Sequence, residues 1–159
     1  MKERTPNNNN ENSVELENNY KKLFENLYNL FLNLNPDDAQ YKIFVEKLFP
    51  HFVLNLKERL NYFITIGKFS HFQSQEKMFE YFLFVSEKSW GDEKYKLEKF
   101  YKGYTKDKSP ENLNDEAYYS LGSHFGGNFT THLGTMDSYV LKNKGDQEYF
   151  QFLKNNYTE

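Results

Sequence analysis

Apolar residues recur along most of the chain at three- and four-residue steps, the spacing that gathers them on one face of an α-helix. Leu16, Tyr20, Leu23, Phe24, Leu27, Leu30, Phe31 and Leu34 follow it. They predict a first helix over residues 14–33, with Ser13 as N-cap and Glu15 and Glu17 in its first turn. Asn35-Pro36-Asp37 breaks the run. Tyr41, Phe44, Val45 and Leu48 predict a second helix from Asp37, which Pro50 ends or kinks. Val53, Leu56, Leu60, Phe63 and Ile64 predict a third over residues 51–66, with Gly67 as its stop. Residues 61–66 would also suit a strand, being rich in aromatic and β-branched side chains, but helix is the preferred reading.

Ser70 with Gln73 resembles a capping box. It opens a helix carrying Met78, Phe79, Tyr81, Phe82, Leu83, Phe84 and Val85, apolar almost all round and therefore expected to be central and buried. Trp90-Gly91-Asp92 separates it from a further helix reaching Lys102, stopped by Gly103. Residues 103–109 read as a charged loop, and Ser109-Pro110 as N-cap and first helical position. Leu121, Phe125, Phe129, Leu133, Met136 and Val140 form one stripe over residues 114–144, which Gly126-Gly127 divides into two helices. Gly145-Asp146 starts a last short helix bearing Tyr149, Phe150, Leu153 and Tyr157. Residues 1–12 are polar and Asn-rich with no periodicity, and read as a disordered tail. The expected fold is all-α: an irregular bundle of six or seven helices, a single domain over residues 13–159, without internal repeats or a coiled-coil heptad run.

A length of 159 residues suits one domain with a real core. Aromatic residues make up 19% of the chain, while alanine occurs only at Ala39 and Ala117, so the core must be packed by large flat rings. Cysteine is absent, which excludes disulfides, thiolate metal sites and a cysteine nucleophile. The net charge of −3 is spread over well-mixed acids and bases, so nucleic-acid binding is disfavoured. No window approaches the roughly 18 apolar residues of a membrane span, and no signal-peptide pattern is present, so a soluble cytoplasmic protein is expected.

Glycines, hydroxyls and two of the four histidines concentrate between Ser120 and His132. A metal site on His124 and His132 faces a geometric obstacle. Eight residues of continuous helix rise about 12 Å and turn by about 80°, whereas ligands must all reach within about 2 Å of one ion. Only a sharp break at Gly126-Gly127, with help from Asp137, would bring the two histidines together. A phosphate cradle lacks the preceding strand and the lysine it needs. Nucleophilic catalysis by Ser120 or Ser123 with His124 lacks a Gly-x-Ser-x-Gly elbow. A haem pocket finds no well-spaced proximal and distal pair in His51 and His71. The preferred reading is structural: Gly122, Gly126, Gly127 and Gly134 let a neighbouring helix approach the backbone closely.

No cofactor is therefore expected. The three wide apolar arcs at residues 16–34, 52–66 and 78–85 leave more Phe and Tyr than the interior can hide, and exposed aromatic surface marks partner sites. The expected function is a non-catalytic intracellular protein-binding module, an adaptor, inhibitor or small subunit, with a protein partner or self-association. The alternative is a small-molecule or metal-binding protein, or an enzyme, with its site built from Ser120, His124, Asn128, His132 and Asp137.

Overall fold

In the computed structural model, residues 6–69, 72 and 74–143 are described, with side chains from residue 14 to residue 134 within those spans. Four long helices make up the fold: α1 (Pro6–Asn33), α2 (Ala39–Thr65), α3 (Gln75–Tyr104) and α4 (Asp115–Asn143). A single 3-10 turn, Pro110–Asn112, lies in the α3–α4 connection. Among the described residues there is no strand. The fold class is all-α as the spacing predicts, but the helices number four rather than six or seven. The short helix expected after Gly145 lies outside the described residues.

The difference arises at three expected breaks through which the helices continue. Pro50 sits inside α2. Proline forfeits one backbone hydrogen bond and costs about 3 kcal/mol in a helix interior, but Tyr41, Phe44, Val45 and Leu48 before it and Phe52, Leu56 and Leu60 after it are all buried. Burial of that many large apolar side chains, at about 1.5–3 kcal/mol each, outweighs the proline. Gly91 sits inside α3 between the buried Trp90 and Glu93, where its penalty is only about 1 kcal/mol. Gly126 and Gly127 sit inside α4, and packing holds them there, as described below. Residues 61–65 are helical, which settles the helix-or-strand ambiguity.

Caps fix the ends. Asp38 accepts a hydrogen bond from Tyr41 N at 3.0 Å and so opens α2. Its other carboxylate oxygen accepts from Tyr101 Oη at 2.9 Å, and Tyr41 Oη donates to the Phe31 carbonyl at 2.7 Å, so the α1–α2 turn is tied to the end of α3. Gly67, at φ 79°, stops α2 as expected. Ser74 caps α3 by accepting from Lys77 N, four residues beyond the expected Ser70. Asn114 Oδ1 accepts from Ala117 N at the start of α4. At the other end of the molecule, α1 begins at Pro6, ahead of the Ser13 cap that the sequence suggests.

Around the bundle the neighbours run α1–α2–α4–α3. Tyr20 meets Phe79 and Phe31 meets Trp90, so α1 and α3 are parallel. Gly122 lies against His51 and Gly126 against Asn55, so α2 and α4 are also parallel. At the centre Phe31 stacks on Trp90 at 4.8 Å and touches Phe49 and Phe52, and Phe52 meets Phe129 edge-on at 5.3 Å. Every described phenylalanine is buried or half-buried.

Candidate functional site

Helix α4 turns its features in three directions, and each is set by helical spacing. Toward α2 it presents Gly122, Gly126 and Thr130, one residue every four. A Cβ built on Gly122 would stand 2.6 Å from His51 Cβ and 2.8 Å from Phe52 N, and one on Gly126 would stand 3.0 Å from Asn55 Cβ. The α2 and α4 backbones are in direct contact there, and no side chain larger than hydrogen fits at Gly122. Thr130 Oγ1 turns back to donate to the Gly126 carbonyl at 2.7 Å, satisfying its buried hydroxyl within the helix. The expected role of the glycines as spacers for a close neighbour is realised at Gly122 and Gly126.

Toward α3 the helix presents His124, Asn128 and His132, again four residues apart. Asn128 Nδ2 donates to Glu93 Oε1 at 3.0 Å and lies 3.3 Å from His124 Nε2. Glu93 is only 6% exposed. Its second oxygen accepts from Lys96 Nζ at 3.3 Å. The buried carboxylate is therefore compensated by an amide and an ammonium group. His124 packs edge-on against Phe100 at 5.4 Å. Burial lowers the His132 pKa below 6.5, opposed by the negative charges of Asp92 and Glu93. Nearby, Tyr81 Oη donates to the Leu133 carbonyl and locks the lower part of the same seam.

Of the five sequence candidates, this arrangement gathers His124, Asn128 and His132 along one seam. Ser120 is exposed, one helical turn before His124, and takes no part in the Asn128–Glu93–Lys96 bonds. Asp137 lies within α4, but its side chain is outside the described residues. Asn128 stands between the two histidines, as the helical rise requires, and among the described residues no group of three His, Asp or Glu could hold a metal ion. Glu93 is the member that spacing on one helix could not reveal, because it arrives from α3. A surface cleft of about 210 Å³ lies elsewhere, between α1 and α3, lined by Leu23, Phe79 and Leu83.

The outer face of α4 carries the exposed Ser120 and Thr131 and the half-buried Ser123, Gly127 and Gly134. Charged residues form 27% of the chain, yet none lies between Glu116 and Asp137. Exposed helix faces in a soluble protein ordinarily carry charge, whereas interface cores lose it. Large exposed residues occur on α4 and on the neighbouring α2. Tyr119 is 63% exposed and packs edge-on to His51 at 6.1 Å; on α2, Leu54 and Tyr62 are 60% and 62% exposed. Arg59 of α2 lies beside Gly127, where an added Cβ would meet its guanidinium at an ordinary 3.6 Å. The exposed tyrosines Tyr95 and Tyr104 belong to α3, and Tyr104 stacks on Phe100, which packs against His124. The sequence signal for the strip was present in the missing charges of residues 117–136.

Among the described residues no helix is long and apolar enough to cross a membrane. Comparison with known protein families, characterised proteins and solved structures gives no match.

Proposed function

We propose that the protein is a non-catalytic binding module that acts by protein–protein contact through the outer face of α4 and the adjoining side of α2. The observation that carries this reading is the stretch of α4 from 117 to 136 without a charged residue of its own, with exposed Tyr119 on it and exposed Leu54 and Tyr62 on the neighbouring α2. Solvation does not require such a surface, and covering it with a protein desolvates no charge on α4 itself. The exposed tyrosines supply large contact area at low entropic cost, and serine, glycine and threonine on α4 allow close approach.

The polar seam between α3 and α4 supports this reading indirectly. His124, Asn128, Glu93 and Lys96 bond to one another rather than to an open cavity. That is the behaviour of a network that holds two helices in register.

A photoreactive phenylalanine analogue placed at Tyr119, and in a second protein at Tyr95, tests the proposal in cells. Cross-linked protein is expected from position 119 and much less from position 95. Equal cross-linking at both positions, or none at either, refutes it.

A further inference from the structure

The balanced charge of the whole chain conceals a local excess. Residues 94–108, the end of α3 and the loop after it, hold Lys94, Lys96, Lys99, Lys102, Lys106 and Lys108 against Glu98 and Asp107. That stretch carries a net charge of +4, so the rest of the chain, at −3 overall, carries −7. A helix C-terminus favours cations in its last turn. That accounts for Lys102, but not for Lys94 and Lys96 earlier in α3 or for Lys106 and Lys108 beyond its end. Acids answer two of the six, Glu93 at Lys96 and Glu98 at Lys102. Among the described residues Lys94, Lys99, Lys106 and Lys108 form no ion pair, and the last three are exposed.

Rings accompany the lysines. Lys96, Phe100 and Tyr104 are four residues apart and so share one side of α3, the side that meets α4. There the exposed His124 packs edge-on to the half-buried Phe100 at 5.4 Å, and Phe100 stacks on Tyr104 at 6.2 Å with the planes 26° apart. The three rings form a short row along the α3–α4 seam, and Tyr104 at its end is 38% exposed. Elsewhere on α3 the exposed Tyr95 has Lys94 Nζ 5.3 Å from its ring centroid, a second pairing of ring and cation. Because α4 has no charged residue between Glu116 and Asp137, its wall of the seam opposes no acid to an anion.

Flexible cations beside ring faces open to stacking are what a sugar–phosphate strand with unpaired bases requires: the ammonium groups meet phosphates and the rings take bases. A membrane surface would call for Trp, Phe or Leu wedges, whereas the exposed large apolar side chains of α3 are tyrosines. An acidic protein segment would use the lysines and leave the ring row idle. We infer that the end of α3, with the loop after it and His124, binds single-stranded nucleic acid. This goes beyond the protein contact proposed above and uses a different part of the surface.

Fluorescence anisotropy of labelled oligouridylate and oligothymidylate, each about 12 nucleotides long and so within the site sizes of single modules, tests the inference on the full chain. Both strands should bind, since phosphates and base faces are common to them. Three or four lysine–phosphate contacts on a single strand give a log–log salt slope of about −2 to −3, so affinity should fall roughly 20- to 50-fold between about 50 and 200 mM salt. Lys99→Gln with Lys106→Gln should weaken binding and make that slope shallower by about 1.4. Tyr104→Leu should weaken binding about tenfold and leave the slope unchanged, because stacking releases no counterions. Lys21→Gln with Lys22→Gln, both exposed on α1, should change neither affinity nor slope, and circular dichroism checks that each variant is folded. No binding of either strand, equal losses from the α1 and α3 lysine pairs, a Tyr104→Leu protein that binds like the wild type, or displacement of the strand by oligoglutamate as readily as by unlabelled strand each overturns the inference.

Discussion

One methyl group added at Gly122 probes the contact on which the bundle closes. Alanine is favoured over glycine in a helix interior by about 1 kcal/mol, so propensity alone makes Gly122→Ala stabilising. The site opposes it. The new Cβ would stand 2.6 Å from His51 Cβ, 2.7 Å from the His51 carbonyl carbon and 2.8 Å from Phe52 N. Non-bonded carbons rest about 3.5–4.0 Å apart, so α4 must retreat from α2 by about 1 Å at this level. Two of the three obstacles are backbone and cannot rotate away. Overpacking of this kind costs about 1–3 kcal/mol, and a rigid obstacle places it at the upper end. Net of propensity, Gly122→Ala should destabilise the protein by about 2 kcal/mol, which lowers Tm by about 4–8 °C in a chain of this size. Gly91→Ala is the control. It lies in the interior of α3 with nothing within 4 Å of its would-be Cβ, and should stabilise by about 1 kcal/mol. Urea unfolding followed by circular dichroism, compared at a common slope, gives both values. A Gly122→Ala protein as stable as the wild type, or a Gly91→Ala protein that loses as much, refutes the argument from close approach.

Removing the Phe31 ring, fully buried and stacked on Trp90, should cost about 3–5 kcal/mol in the same unfolding assay. Glu93→Ala strands the Asn128 amide and should cost about 1–3 kcal/mol, whereas Glu93→Gln keeps an acceptor for it and should cost less. His132 titrates below 6.5 in the folded protein, so the unfolded chain takes up its proton first as pH falls. Its contribution is present above pH 6.5 and lost below it, and unfolding midpoints measured between pH 7 and pH 5 should fall less steeply in His132→Gln. Burial pushes the Tyr101 and Tyr118 hydroxyls up from 10.0 to about 12, Tyr101 with the added effect of its bond to Asp38, and Tyr118 with that of nearby Glu111. The stability they confer is present below pH 10 and lost as pH rises from there to about 12, so alkaline unfolding should coincide with a jump in tyrosinate absorbance.

Periodicity made the fold class legible. The three-four spacing of residues 16–34 and 121–140 says helix without ambiguity, and Asp38, Gly67 and Asn114 mark ends that a local hydrogen bond or a positive φ explains. The helix number was not legible, for one physical reason. Pro50, Gly91 and Gly126-Gly127 carry penalties that a sequence displays openly, while the burial that overrides them depends on neighbours from other helices. The same asymmetry governs the candidate site. His124, Asn128 and His132 can be placed on one edge of α4 by counting, but the buried Glu93 that joins Asn128 arrives from a helix distant in sequence. The glycines were readable as spacers, yet which helix they admit was not. The aromatic excess was expected to spill outward as Phe and Tyr alike. Among the described residues Tyr62, Tyr95, Tyr104 and Tyr119 are the aromatic side chains that face water, since a hydroxyl can be hydrated and a phenyl edge cannot.

The parallel pairing of α2 with α4 bears on the order in which the chain is assembled. The partners in that seam, His51 and Asn55 on one side and Gly122 and Gly126 on the other, have the rest of α2 and all of α3 between them in sequence. Contacts so remote must wait for a long loop to close, which slows folding relative to bundles of adjacent hairpins. During synthesis α2 emerges well before the glycine-thinned helix that lies against it. Until α4 is released, the ring-rich inner side of α2 has no cover on that flank, and the nascent chain is at its most vulnerable to mispairing. Protein stalled before residue 115 should therefore engage chaperones more strongly than the finished chain.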